Sequence, residues 1–223
     1  MSKPDWNAFI GYLLHDLKSP LAVISAYSSM IKMDDPDQKH TEKIDTIQTY
    51  IRSIDKLLSK FQEFNRVNQS KLKRSDFLLQ DEFAKVKSQN QKLFIHNPDF
   101  ELPKSVSNLK LHADHELINK LLKNLIEFSV ELYNSEVLKC KFSLSKTDSK
   151  VMLIYSDNNL PIENDDIAQL YHSDISIKKP NLLDAFRLAI INDIITRHKW
   201  QVDFKAGKNG HHFAITIDKK DLL

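Results

Sequence analysis

Leu14-His15-Asp16-Leu17-Lys18-Ser19-Pro20-Leu21 is the stretch on which the reading of this 223-residue chain turns. It sets an imidazole beside a carboxylate, a little over one turn before a proline, inside an apolar pattern of helical period. Around it the apolar residues fall at Ile10, Leu14, Leu17, Leu21, Ile24 and Ile31, with Ser28 in the one missing step. Spacings that alternate four and three make a seam along one side of a helix. Leu14 is a seam position, so His15 lies about 100° round, at the seam's edge and partly exposed. Imidazole has a reference pKa near ~6.5, so at neutral pH it keeps a nitrogen lone pair that can attack a phosphoryl group. Asp16 can hold or deprotonate the other ring nitrogen. Ser19 is one turn on, where its hydroxyl can position a water. Pro20 has no amide hydrogen, which frees the carbonyl of Asp16 and lets the helix bend beside the histidine. A surface histidine next to an aspartate is usually a solvated pair and nothing more. The mid-helix proline at this spacing sets the stretch apart.

Downstream, Asp34-Asp35-Pro36-Asp37 breaks the pattern, as proline and short acidic residues favour a turn. The period resumes at Ile44, Ile47, Ile51, Ile54, Leu58 and Phe61. Two helices, each about 40 Å long at 1.5 Å per residue, are thus joined by a tight turn. A two-helix hairpin cannot bury such seams alone. Dimerisation into a four-helix bundle covers them, and so would packing on the rest of the chain. The hairpin occupies residues 1–67. Gln69-Ser70-Lys71-Leu72-Lys73-Arg74-Ser75-Asp76 is polar and basic, and residues 68–76 read as a linker. Residues 77–223 mix types. Helical patterns run over Phe77–Lys92, Glu116–Tyr133 and Asn181–His198. Strand patterns run over Leu93–His96, Leu109–His112, Lys139–Leu144, Val151–Tyr155, Trp200–Phe204 and His212–Ile217. The expected fold is α+β, a helical hairpin followed by an α/β sandwich.

Composition narrows the class. Hydrophobic content of 41% and charged content of 28% are ordinary for a globular protein. A net charge of +2 offers no basic excess for nucleic acid. No apolar run approaches the ~20 residues of a membrane span, and the first residues hold no signal-peptide core. The lone cysteine, Cys140, permits no internal disulfide, reads as a small buried hydrophobe on a strand, and fits a cytoplasmic protein. Taken as a native start, Met1 leaves no room for a sensor domain upstream. His211-His212 have no cysteine or acidic partner at ligand spacing, so no metal site is expected, and the remaining histidines are scattered.

The segment from Phe9 to Ile31 resembles the H-box of the dimerisation and phosphotransfer domain of sensor histidine kinases, whose pattern is Ser-His-Glu-Leu-Arg-Thr-Pro-Leu. Every change after the first position is conservative here. The resemblance implies that His15 is phosphorylated, that Asp16 is its acidic partner, and that Ser19 is the hydroxyl often linked to phosphatase activity. It also implies a receiver-docking face around Leu14, Lys18, Ser19 and Leu21, with residues near Leu58 or Phe61 from the second helix.

The remainder resembles the catalytic ATP-binding domain of the same family, with its nucleotide boxes eroded. Asp114–Tyr133 looks like the N-box region: Asn124 keeps the first asparagine, and Phe128 stands at the second, which resembles the Mg²⁺ ligand. Phenylalanine offers no oxygen to a hard cation. Asp157-Asn158-Asn159-Leu160-Pro161-Ile162 looks like Asp-x-Gly-x-Gly-Ile. Asp157, which by resemblance reads the adenine amine, is kept, while Asn159 and Pro161 replace both glycines. Ala185-Phe186-Arg187-Leu188-Ala189-Ile190-Ile191 aligns with Gly-Leu-Gly-Leu-Ala-Ile-Val, again with both glycines lost, to Ala185 and Arg187. An amide cradle for phosphates depends on bare backbone. The whole chain has three glycines. Gly210-His211-His212-Phe213 keeps only a terminal Gly-x-x-Phe.

The expectation is a histidine phosphotransferase of a two-component phosphorelay, passing phosphate between receiver aspartates through His15. It would be a homodimer that binds no cofactor of its own. Its partners would be response-regulator receiver domains, which supply the Mg²⁺, and an upstream hybrid kinase. One alternative is an ATP-dependent histidine kinase core with an atypical site using Asn124, Asp157, Lys178 and Lys179. The other is a non-catalytic module that docks a receiver or pairs with a kinase.

Overall fold

The computed structural model describes residues 6–34, 40–91, 99–131, 138–147, 150–159, 182–207 and 210–223. The chain divides into two compact units, Met1–Arg66 and Val67–Leu223.

The first unit is built from α1 (Trp6–Met33) and α2 (Thr41–Gln69), the last turn of α2 counting with the second unit. Polar bridges set their register. Lys18 Nζ lies 3.1 Å from Ser59 Oγ, Gln48 Nε2 donates to Ser29 Oγ at 3.2 Å, and Lys32 pairs with Asp45 at 2.6 Å. Numbers rise on one helix as they fall on the other, so the helices are antiparallel, and the same register puts His15 level with Gln62. Ser28, the polar step in the seam, is buried, as is Ile44. At 100° per residue, Lys18, Ser29 and Lys32 share one side of the helix pair. Leu17, Ile24 and Ile31 fall on the other side, with Ile47 and Ile54 of α2, and all five are exposed. Tyr27 and Tyr50 flank them at 62% and 68% exposure. The seam is therefore split: part closes the hairpin, and part remains outside it. Among the described residues, no helix is long and apolar enough to cross a membrane.

The second unit is a five-stranded sheet with helices against one face. The strands are β2 (Asp99–Glu101), β4 (Lys139–Lys146), β5 (Val151–Asp157), β6 (Gln201–Gly207) and β7 (Gly210–Ile217), in the order β2-β4-β5-β7-β6. β2 runs parallel to β4, and the other neighbours are antiparallel. Alternation places Cys140, Phe142, Leu153, Tyr155, Phe213 and Ile215 inward. Against them lie α3 (Leu79–Gln89), α5 (His115–Glu131) and α6 (Leu182–Arg197), while α4 (Lys104–Ser107) is a single turn. α5 sits between α3 and α6 and buries Leu117, Leu121, Leu122, Leu125 and Phe128. Edge-to-face rings tie helix to sheet: Phe83–Phe142 at 5.5 Å and Phe128–Phe213 at 5.7 Å between centroids.

Two expectations change at the start of this unit. β1 (Ser75–Leu78) pairs antiparallel with β3 (Lys110–Ala113), so Phe77 and Leu78 close a strand rather than open a helix. Pairing with a distant segment overrides the local pattern. The stretch read as a linker is also held. α2 continues to Gln69, and Arg197 donates to the carbonyls of Asn68 and Ser70, capping the helix end. The Lys73 amide donates to Asp114 at 2.8 Å, and Arg74 reaches the His112 carbonyl and Asp221. The strand expected at Leu93–His96 lies outside the described residues.

Candidate functional site

His15 belongs to the first half of α1, which continues through Pro20 without a break in the helix. The side chains of Leu14, His15 and Asp16 lie outside the described residues. Their neighbours do not: Ser19 and Pro20 are exposed, and Lys18 and Leu21 are half-buried. Position 15 of the helix stands one turn before Lys18, on the side of α1 that carries Lys18 rather than Leu17, Ile24 and Ile31. A phosphoryl donor approaching that side would meet hydroxyl, amide and ammonium groups rather than the apolar stripe.

The second cluster forms where α5, the end of β5 and the start of β7 converge. The kept aspartate, Asp157, is buried, and the protein itself supplies its partners. It accepts from the Ser129 hydroxyl, from the Asn159 amide at 3.0 Å, and from the His211 amide and Nδ1, each at 3.0 Å. These four donors use the lone pairs that an adenine amine would need. Burial pushes the Asp157 carboxyl up, but the His211 and Ser129 bonds outweigh it and hold the group below its ordinary value. Behind it, the Tyr155 hydroxyl donates to Ser129 Oγ at 2.6 Å and contacts Cys140 Sγ at 3.2 Å. Burial pushes the Cys140 thiol up to about 12, so it stays protonated and inert.

Phe128 is fully buried. Its ring makes edge-to-face contacts with His211 at 5.1 Å and Phe204 at 6.3 Å between centroids. The position that resembles a Mg²⁺ ligand is thus a core residue. Asn124, also buried, turns its amide to the Lys120 carbonyl of its own helix at 2.8 Å. Arg187, at a position where the resemblance expects glycine, is buried in the second turn of α6, 2.6 Å from Asp184 and 3.7 Å from Glu127. A guanidinium flanked by two carboxylates fills space that a phosphate cradle leaves open, and surrounds it with negative charge. Asn159 donates to the Ser129 carbonyl at 2.8 Å, while its Oδ1 is buried without a partner among the described residues. Pro161 lies outside the described residues, as does the side chain of Ala185. Among the described residues, the surroundings of Asp157, Phe128 and Arg187 do not fit ATP–Mg²⁺.

The structure therefore gathers Asn159, Asp157 and Phe128 into one cluster with Ser129 and His211, which the sequence reading did not include. His211 is no bland strand histidine. Gly210 was the available signal: its φ is +113°, and a Cβ there would lie 1.8 Å from the Asp157 carbonyl oxygen. Only glycine lets β7 start so close to the end of β5, and that approach delivers His211 to Asp157.

Residues 5–70 match the model of the His Kinase A (phospho-acceptor) domain, which includes His15. The chain is 22% identical over 211 residues to the sensor histidine kinase CssS of Bacillus subtilis, covering 92% of this chain and 45% of that protein. It is 20% identical over 230 residues to the sensor histidine kinase AtsR of Burkholderia thailandensis, covering 95% of this chain and 37% of that protein. The chain thus spans less than half the length of these curated relatives. Among solved structures, Acinetobacter baumannii histidine kinase AdeS superposes with a TM-score of 0.60 at 17% identity, over 93% of this chain and 98% of that one. Full-length ShkA in complex with AMPPNP gives 0.63 at 13% identity, over 94% and 45%. The catalytic domain of histidine kinase ThkA gives 0.54 at 21% identity, over 66% and 97%. The chain is histidine kinase-like: residues 5–70 match a phospho-acceptor hairpin, and the domain that follows has the fold of a histidine-kinase catalytic domain.

Proposed function

We propose that this chain accepts and returns a phosphoryl group at His15 in exchange with the aspartate of a receiver domain, without drawing on ATP. The closed surroundings of Asp157 carry the reading, since the residue that would read adenine is bound on every side by the protein itself. In the step proposed, an imidazole nitrogen of His15 attacks the phosphorus of an aspartyl phosphate. The N–P bond forms as the acyl P–O bond breaks, and the electron pair leaves on the receiver's carboxylate. The proton on the other ring nitrogen passes to Asp16. Charge on the transferred group is met by the receiver's own Mg²⁺. The partners on this reading are receiver domains, with an upstream hybrid kinase as first donor, a second copy of this chain to complete the bundle, and the cytoplasm as the setting.

A second reading, an ATP-dependent histidine kinase core, has support of its own. The curated relatives are named sensor histidine kinases. The Asn159 Oδ1, buried and unpartnered among the described residues, is an acceptor that an amine would satisfy. One experiment separates the two. The purified protein is incubated with γ-labelled ATP and Mg²⁺ alone, and separately with a labelled phospho-receiver. The proposal expects acid-labile label from the receiver only, absent from His15→Ala. Label from ATP alone, on His15, establishes the kinase and overturns the relay.

A further inference from the structure

We infer that Asp55 and Ser59 of α2 are positioning residues for phosphoryl exchange, acting through the ammonium of Lys18. The inference rests on the reading that His15 takes the group. Lys18 Nζ lies 3.1 Å from Ser59 Oγ and 3.8 Å from Asp55 Oδ1. Lys18 is the next turn of α1 after His15, where Cβ atoms three residues apart stand about 5–6 Å from each other. Ser59 is within one turn of Gln62, the residue level with His15. The ammonium is therefore held on the side of the hairpin that His15 shares, across the groove between the helices. A lysine stem is long and flexible, and unheld it would spread over solvent. From Ser19 to Ile31, α1 carries no charged residue, and its next cation is Lys32, itself paired with Asp45.

The strength of the contact matters as much as its place. The Lys18 and Asp55 side chains are 35% and 58% exposed, so the pair is screened and adds little to stability. Such a contact is easily exchanged. A phosphoryl group arriving at His15 brings about two negative charges within reach of an ammonium that Asp55 holds only loosely. Ser59 keeps its lone pair on Nζ while the ion pair changes partner. Lys18 makes no covalent bond and gives up no proton in this change. Asp55 competes with the phosphoryl group for the cation, and Ser59 limits how far it strays. The two residues on α2 thereby set how strongly the phosphorylated state is favoured.

Phosphoramidate, a small donor that needs no docking, separates positioning from receiver recognition. With it, Lys18→Met should slow labelling of His15 about tenfold, and Lys18→Arg should stay within about threefold of the wild type. Asp55→Asn should raise the phosphorylated fraction at equilibrium about threefold, and Ser59→Ala should lower it. These differences should shrink near 1 M salt, where the screening length is about 3 Å. Thermal midpoints report whether the variants stay folded. If Lys18→Met, Asp55→Asn and Ser59→Ala all match the wild type with phosphoramidate, the inference is wrong, even where receiver kinetics change. If the wild type takes no label from phosphoramidate or from a phospho-receiver, or His15→Ala takes as much, the underlying reading fails and the inference with it.

Discussion

Gly210 opens β7 at a φ of +113°, with the Asp157 carbonyl where a methyl group would go. Gly210→Ala should therefore cost more than the usual glycine replacement, about 2 kcal/mol or more, because both backbone strain and a backbone clash oppose it. A fall in the urea midpoint with an unchanged slope measures this. His198 provides a second residue-scale test. It is buried, its Nδ1 donates to the Ile194 carbonyl at 2.8 Å, and its Nε2 accepts from the Asp114 amide at 3.1 Å. Only the neutral ring can do both. Burial holds its pKa below the ordinary histidine value, and the Ile194 bond opposes that shift without cancelling it. The unfolded chain then binds the proton more readily than the folded one. The stability contributed by neutral His198 is complete above about pH 6.5 and is lost as pH falls below that value toward the lowered folded pKa. Thermal midpoints should be flat from pH 8.5 to 7 and drop toward pH 5. His198→Gln, less stable at pH 8, should show a shallower drop. An equal drop in the variant would assign the acid sensitivity to other groups.

At the scale of elements, α5 carries a core residue at a position that matters to the proposed function. Its apolar face packs on the sheet, and Phe128 extends that face across the position where a polar ligand side chain is expected by resemblance. Phe128→Asn should then lose about 3 kcal/mol, from the cavity and from an amide buried without partners. Titration calorimetry with Mg–ATP should show no new binding, because Asp157 and Arg187 are still engaged. The long periodic elements were legible in the sequence because helix period and burial agree along α1, α2 and α5. Elements fixed by distant pairing were not. Phe77 and Leu78 carry apolar character that suits helix or strand, and only β3, more than thirty residues on, decides for strand. The same holds for the site. Phe128, Asp157 and Arg187 could be singled out by residue type against an expected pattern. Ser129 and His211 could not, because their role comes from contacts across 28 and 54 residues that no local spacing records. The contacts of the linker stretch were hidden for a related reason: residues 70–74 have a solvent-like composition, but the Lys73 amide and the Ser70 carbonyl are held by Asp114 and Arg197 far along the chain.

For the whole molecule, the split seam is the feature that most demands a partner. Leu17, Ile24 and Ile31 with Ile47 and Ile54 leave one side of the hairpin apolar and exposed. Burying a side chain of this size stabilises by about 1.5–3 kcal/mol, so five of them per copy can drive association even after its entropic cost. Light scattering should find a dimer, with a thermal midpoint that rises with protein concentration. Ile24→Glu combined with Ile54→Glu should give a monomer, lower the midpoint and remove the concentration dependence. A wild type that stays monomeric at tens of micromolar would mean that the stripe is covered in another way. The arrangement also bears on stoichiometry. On the proposed function, the helix position of His15 lies on the Lys18 side of α1, away from that stripe, so pairing through the stripe leaves that position uncovered in both copies. Saturating transfer from a phospho-receiver should accordingly approach one phosphoryl group per chain, read by intact mass at alkaline pH. A plateau at one per two chains would show that occupying one His15 closes the other, which two outward-facing sides do not allow.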